Sequence, residues 1–284
     1  MEQTLIKQVA IFTRPRHEEA LVLGEKVAQW LAERGVASWI APAWQPGQLH
    51  GELPEMDLLV ILGGDGSILR AARMAAPFQL PLFGINMGRI GFLSEANPDN
   101  WPEKLELVLQ GQCWWERRLM LQAHVWREDQ FLGDLSALND MVVGRGPQAR
   151  IIRLRLYVDG SHITTYTADG LIAATPTGST AYSLAAGGPL LPPQLQNFLI
   201  IPIAPHLTFD RALVLHQEAE VTIEMEGDRE AMLTADGQDL ITLHGGDKVI
   251  VSKHQHESCF VRIENSSYFY HRLMERLGLG ILNR

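Results

Sequence analysis

Leu58-Leu59-Val60-Ile61-Leu62-Gly63-Gly64-Asp65-Gly66-Ser67-Ile68-Leu69-Arg70 is the stretch on which the fold turns. Five aliphatic residues in a row read as a strand buried on both faces, the habit of a parallel sheet covered by helices. Three glycines around one aspartate follow, and a helical pattern from Ile68 to Ala75 begins at once. Glycine lets the backbone turn sharply and approach a ligand closely. A helix N-terminus offers free N–H groups and a positive dipole end, which suit a phosphate. The plainer alternative is a strand-to-helix turn with Asp65 or Ser67 as N-cap. No Gly-Lys-Ser/Thr follows, so this is not a Walker loop, and Gly-x-Gly-x-x-Gly is absent, which argues against a dinucleotide dehydrogenase.

Upstream, Val9 to Phe12 reads as a strand. His17 to Arg34 reads as a helix, with Ala20, Leu21, Leu23, Val27, Trp30 and Leu31 at near-helical spacing and Gly35 as its stop. Val36 to Ala41 is a second strand, followed by a loop holding Pro42, Pro46, Gly47 and Pro54. Downstream, Leu80 to Ile85 is another buried strand ending in a second glycine cluster, Gly84-Ile85-Asn86-Met87-Gly88-Arg89-Ile90-Gly91-Phe92-Leu93. Strand and helix in alternation predict a parallel sheet. The two glycine turns then lie side by side at one rim, which favours a phosphate site over a mere turn.

From about Cys113 the texture changes. Ile152, Leu154, Leu156 and Val158 alternate with Arg153, Arg155 and Tyr157, and Asp159-Gly160 signals a hairpin. Val221, Ile223 and Met225 alternate with Thr222, Glu224 and Glu226, and Val249 to Lys253 and Phe260 to Ile263 read as further strands. The second part is mostly antiparallel sheet, and Phe269 to Leu279 returns to helical spacing. The expected division is 1–112, 113–265, and 266–284 packing back on the first domain.

The 284 residues suit one large or two ordinary domains at roughly 150 residues per domain. A hydrophobic share of 46% with 20% charged residues marks a folded chain. The net charge of −9 argues against a general nucleic-acid binder. Two cysteines, Cys113 and Cys259, fit a reducing cytoplasm better than secretion. No signal peptide is visible, and no stretch approaches the roughly 18 apolar residues of a membrane helix.

Gly63-Gly64-Asp65-Gly66 and Gly84-Ile85-Asn86-x-Gly88-x-x-Gly91-Phe92-Leu93 resemble the N-terminal motifs of the bacterial NAD kinases. Asp169-Gly170-Leu171-Ile172, then Thr175-Pro176-Thr177-Gly178-Ser179-Thr180-Ala181-Tyr182-Ser183 and Ala185-Ala186-Gly187-Gly188-Pro189, resemble that family's most distinctive signature. The resemblance runs from about Val60 to Gln238. Lipid kinases and phosphofructokinases share only the Gly-Gly-Asp-Gly element. The resemblance implies transfer of the γ-phosphoryl of ATP to the 2′-hydroxyl of the adenosine ribose of NAD, giving NADP. It implies an α/β N-terminal domain with a Rossmann-like parallel sheet, a β-rich C-terminal domain and a C-terminal helix returning to the first. It also implies a magnesium-type divalent cation with no fixed protein site, and a homodimer or homotetramer in the cytoplasm, without nucleic-acid or membrane partners.

Residue by residue, the resemblance puts Asp65 on the catalytic aspartate, the proton acceptor for the ribose hydroxyl, or a group that positions that hydroxyl or holds the metal. Gly63, Gly64 and Gly66 form the phosphate loop, with Arg70 one turn into the helix. Asn139-Asp140 stands where the family usually has Asn-Glu, a carboxylate shortened by one methylene. Asp169, the run Thr180, Ala181, Tyr182, Ser183, Leu184 and Ala185, and Gln238 match NAD contacts. Arg150 and Thr167 fall at contact positions of variable residue type. A catalytically silent nucleotide sensor finds support only in Asp140.

Other constellations read as structural. His254-x-His256 lacks a third metal ligand, and Ser179, Ser183 and His206 lack the Gly-x-Ser-x-Gly elbow of a hydrolase. Cys113-Trp114-Trp115 reads as packing at the domain junction. Arg14, Arg16 and His17 read as a solvated loop.

Overall fold

The computed structural model of the chain describes residues 6–13, 18–41, 53–88, 91–146, 150–206 and 209–276. Arg14, Arg16, His17, Pro42, Pro46, Gly47, Arg89, Ile90 and the end of the last expected helix lie outside them. Contacts divide the chain into two compact units, Met1–Arg117 with Ser258–Arg284, and Arg118–Glu257.

The first unit is built on a six-stranded sheet of β1 (Gln8–Thr13), β2 (Ala37–Ala41), β3 (Leu58–Leu62), β4 (Leu82–Ile85), β5 (Trp114–Arg118) and β18 (Ser258–Arg262), in the order β2-β1-β3-β4-β18-β5. β1 runs parallel to β2 and β3, and β3 to β4, as the alternating pattern predicts. Every residue of β3 is buried. Helix α1 (Glu18–Ala32) buries Ala20, Leu23, Gly24, Val27 and Leu31 along one stripe, and it ends where Gly35 takes a φ of 74°. Helix α2 (Asp65–Ala75) starts three residues before the apolar pattern does, because Gly64 takes the cap position and the polar first turn is already helical. Helix α3 (Trp101–Leu109), which the pattern reading passed over, buries Trp101, Leu105 and Val108. Its Trp101 ring meets Trp30 edge-on at 5.6 Å, and Arg34 stacks on Trp30 while pairing with Glu106 at 2.7 Å.

One strand changes sides. Phe260 to Ile263 reads as part of the antiparallel half, yet β18 pairs parallel to β4, Phe260 against Leu82. Trp114 lies in β5 of the same sheet and packs against Phe92, Phe269 and Leu273. The units therefore divide at 117/118 and 257/258, a few residues from the expected 112/113 and 265/266, because β5 and β18 are strands of the first sheet. The last helix, here the fifth, α5 (Tyr268–Arg276), belongs to the first unit.

The second unit is a sandwich of two six-stranded sheets. One has the order β10-β9-β14-β17-β6-β7, from β6 (Leu121–Arg127), β7 (Gln130–Ala137), β9 (Ile152–Val158), β10 (Ser161–Ala168), β14 (Val221–Glu226) and β17 (Lys248–Lys253). The other has the order β13-β12-β11-β8-β15-β16, from β8 (Asp140–Arg145), β11 (Gly170–Ala174), β12 (Asn197–Ile203), β13 (Leu213–His216), β15 (Ala231–Ala235) and β16 (Asp239–Leu243). The alternating residues behave as their period demands: Leu154, Leu156, Val221, Ile223 and Met225 are buried in one core with Val143, Leu171, Phe198 and Leu233 of the facing sheet. Asp159 and Gly160 turn the β9–β10 hairpin at φ values of 49° and 76°. β11 and β12 are buried on both faces, because Ile172, Ala174, Leu199 and Ile201 pack away from the sandwich core with Leu191 of the long connection after β11. Its short helix is α4 (Tyr182–Ala185). Among the described residues, no helix is long and apolar enough to cross a membrane.

Candidate functional site

The glycine turn leaves β3 at a point fixed by the sheet. Leu62 pairs with Ile85, and the Gly63 N–H donates to the Ile85 carbonyl at 3.1 Å, so both glycine turns meet at one rim. Between them lies a cavity of about 270 Å³ lined by Leu62, Gly63, Gly64, Asn86 and Gly88, among others. Ligand sites in open α/β sheets form at this carboxyl end of the strands. A side chain added at Gly64 or Gly66 would meet nothing within 4 Å, so these glycines leave open space rather than relieve crowding. Gly64 itself is the N-cap of α2, and no side chain caps the helix, so neither Asp65 nor Ser67 serves as its N-cap.

Asp65 is the first residue of α2, and its Oδ2 accepts a bond from the Phe92 N–H at 3.3 Å. The backbone behind it leaves no room: a Cβ at Gly91 would lie 2.0 Å from Asp65 Oδ1. That wall is anchored from below. The Gly91 N–H donates to Ser94 Oγ at 3.1 Å, and the Ser94 carbonyl accepts from Arg272 and Arg262. Arg262, wholly buried, reaches Glu95 at 3.2 Å and Glu116 at 2.9 Å, and Tyr268 donates to Glu116 at 2.8 Å. Glu95 also accepts the N–H groups of Ile263 and Glu264 at 3.2 Å and 3.4 Å. Two guanidinium groups and two carboxylates from β5, β18, α5 and the loop after β4 thus hold the segment that backs Asp65. Arg70 stands exposed on α2.

The second unit gathers the remaining residues. Leu138, Asn139 and Asp140 form the junction entering β8, and their N–H groups donate to the Asp236 carboxylate at 3.1, 2.8 and 3.2 Å. The Leu138 carbonyl accepts from Thr175 Oγ1 at 2.5 Å, and the Asn139 carbonyl from the Thr175 N–H at 2.9 Å. The connection after β11 packs directly on this junction: a Cβ at Gly178 would lie 2.1 Å from the Asn139 carbonyl oxygen. Ser179 Oγ donates to the Pro176 carbonyl at 2.7 Å and accepts the Leu191 N–H at 3.0 Å, a tie within the loop and not a nucleophile's setting. Arg118 Nη1 donates to Thr177 Oγ1 at 3.3 Å. Asp140 is buried. Desolvation, helped by the charge of Asp236, pushes its carboxyl up to about 7.

Of the other expected contacts, Tyr182 is 46% exposed, Ser183 is buried, and Gln238 is exposed just beyond the Asp236-Gly237 turn. Asp169 pairs with Arg145 at 3.0 Å. Thr167 lines a separate cavity of about 470 Å³ with Ile151, Arg153, Glu226, Asp228 and Arg229, and Arg150 is exposed. The expected residues divide between the two units. Gly63, Gly64, Gly66, Asp65 and Arg70 belong to the first, and Asn139, Asp140, Thr167, Asp169, 180–185 and Gln238 to the second.

Asp236, Thr175 and the Glu95–Arg262 group were not singled out by residue pattern. Thr175 opens the quoted signature run without a role of its own, and Asp236-Gly237 carried a turn signal, with both φ values positive, 51° and 64°. His254 Nδ1 faces the N–H of His256 at 3.1 Å, and burial lowers the pKa of its ring. Among the described residues, no group of three or more His, Cys, Asp or Glu could hold a metal ion.

Comparison with known proteins matches residues 9–113 to the ATP-NAD kinase N-terminal domain and residues 138–263 to the ATP-NAD kinase C-terminal domain. The NAD kinase of Chloroflexus aurantiacus is 37% identical over 273 residues, 96% of this chain and 99% of that one. A crystal structure of yeast NADH kinase complexed with NADH superposes with a TM-score of 0.83 at 27% identity, covering 99% of this chain and 90% of that one. An NAD kinase from Archaeoglobus fulgidus in complex with ATP superposes at 0.78 with 28% identity, covering 96% and 100%.

Proposed function

The chain belongs to the ATP-NAD kinase family, and from that premise we propose which of its residues carry the reaction. As an NAD kinase it transfers the γ-phosphoryl group of ATP to the 2′-hydroxyl of the adenosine ribose of NAD, giving NADP. Asp65 accepts the hydroxyl proton as the new O–P bond forms and ADP departs with the electrons of the broken bond. The observation that carries this reading is the seat of Asp65: it opens α2 directly after the uncrowded Gly64, and the Phe92 N–H braces its carboxylate. In this reading phosphate oxygens approach the Gly63-Gly64-Asp65-Gly66 loop at the N-terminus of α2, with Arg70 adding charge.

Asn139, Asp140, Asp169, the run 180–185 and Gln238 hold NAD in this proposal, with Arg150 and Thr167 at its margin. Asp169 keeps acceptor capacity beyond its bond to Arg145. Asp140, with its carboxyl raised to about 7, can donate as well as accept a hydrogen bond near neutral pH. Magnesium would be held mainly by the phosphate oxygens of ATP, with no fixed protein site. Bound there, the ion neutralises charge on the transferred group.

Free thiols at Cys113 and Cys259 support a cytoplasmic setting. A homodimer or homotetramer is proposed for the assembly, and sedimentation showing monomer alone removes it.

The test of Asp65 is Asp65→Asn. NAD binding by calorimetry is expected to persist while turnover to NADP falls at least about a hundredfold. Turnover near that of the parent excludes the role.

A further inference from the structure

The tripeptide Leu138-Asn139-Asp140 has six backbone hydrogen-bonding groups, and two side-chain-bearing residues far away in sequence take all of them. Asp236 receives the three N–H groups on its carboxylate and returns its own N–H to the Asp140 carbonyl at 3.0 Å. Thr175 takes the other two carbonyls, through its hydroxyl and its N–H. Such complete satisfaction leaves the junction one conformation.

We infer that Asp236 is a positioning residue for dinucleotide binding: its carboxylate fixes the Leu138–Asp140 backbone and so aims Asn139 and Asp140 at NAD. The inference rests on the proposal that Asn139 and Asp140 contact NAD.

Stability alone does not account for the arrangement. A carboxylate held beside the buried Asp140 raises the cost of ionising that neighbour, so the junction is bought with like-charge repulsion. Asp236 takes a left-handed φ of 51°, as Asp does in an Asp-Gly turn, and this places it at a hairpin tip. That same turn presents Gln238, whose N–H closes it on the Ala235 carbonyl at 2.9 Å. One hairpin tip therefore orients the Asn139–Asp140 pair and carries a third proposed contact. Binding groups held by a rigid supporting shell lose less entropy when the ligand arrives. Loosening Asp236 should consequently weaken NAD binding while leaving ATP handling and chemistry alone.

The experiment is steady-state kinetics of the full chain, with NAD and ATP varied separately, on Asp236→Ala, Asp236→Asn, Thr175→Val and Asn139→Ala. For Asp236→Ala, KM for NAD is expected to rise about tenfold or more, the scale of a lost charge-assisted bond. KM for ATP and kcat should stay within about threefold. Asp236→Asn keeps one acceptor oxygen and should recover part of the loss. If Asp236→Ala does not fold, Asp236→Asn and Thr175→Val carry the test, since both should raise KM for NAD selectively. Unchanged KM for NAD in the Asp236 variants, or a fall in kcat without a change in KM, overturns the inference. Asn139→Ala separates the two layers. If it leaves KM for NAD unaltered, the underlying contact and the inference fail together. If it raises KM for NAD while the Asp236 variants do not, the inference alone fails.

Discussion

Both units bury carboxylates, and they do so in opposite ways. In the first, Glu95 and Glu116 lie fully shielded beside Arg262 and Arg272, with backbone N–H groups and Tyr268 filling the remaining positions. In the second, the buried Asp140 faces the carboxylate of Asp236. The matched cluster behaves as a fixed joint: it ties the C-terminal helix, two strands and a loop to the wall behind Asp65. The mismatched pair is held under electrostatic load: burial and the charge of Asp236 both disfavour the ionised form of Asp140. Burial of a carboxylate thus means a matched ion pair in one place and a raised pKa in the other.

The sharpest way to break this comparison is to remove the cation. Arg262→Ala removes the ion-pair partner of the buried Glu116 and one of the two guanidinium partners of Glu95, and urea unfolding is expected to show a loss of about 3–5 kcal/mol. A loss below about 1 kcal/mol would mean that the first cluster is no joint at all.

Acidity separates the two regions next. Asp140 has its pKa raised above the ordinary carboxylate value to about 7, so its contribution is fully present below about pH 4 and is lost as pH rises through 7. The loss amounts to at most about 4 kcal/mol. Burial pushes Glu264 upward, but Arg272 and Lys104 outweigh it and hold the group below its ordinary value. Its contribution is therefore present above that value and lost as pH falls. Unfolding measured from pH 5 to pH 8 should show declining stability that Asp140→Asn flattens; an identical slope in that variant would contradict the assignment.

Glycine substitutions probe the same contrast through sterics. Gly178→Ala pushes a methyl group to 2.1 Å from the Asn139 carbonyl oxygen, so a destabilisation of about 1–3 kcal/mol and a weaker hold on NAD are expected. Gly64→Ala meets open space, so its melting temperature should barely move, by about 0.5 kcal/mol or less in stability. The KM for ATP should nevertheless rise, because the space it fills is the proposed approach of a phosphate. Unaltered kinetics in Gly64→Ala would remove the phosphate loop from that turn.

Local signals proved legible where the chain answers to its own neighbours. Leu58–Leu62 is a strand because a continuous aliphatic run has no polar face to leave in water. Asp159-Gly160 turns because both residues tolerate positive φ. The two glycine clusters share a rim because successive parallel strands end together. Helix α3 was also written in the spacing of Trp101, Leu105 and Val108, but a nine-residue helix carries too few apolar repeats to stand out. β18 could not be assigned to the first sheet from its own residues, since Ser258–Arg262 is apolar enough for either sheet and its partner, β4, lies far away in sequence.

By itself the sequence determined the order of elements, the glycine turn and the candidate residues, because periodicity and turn chemistry act over a few residues at a time. Tertiary structure alone decided what stands behind those residues. Asp65 is braced by Phe92 and the Glu95–Arg262 cluster, and Asn139 and Asp140 are held by Asp236 and Thr175. These partners come from segments separated by tens of residues or more. A carboxylate's neighbours set its charge, its rotamer and its use, and only folding brings those neighbours within reach.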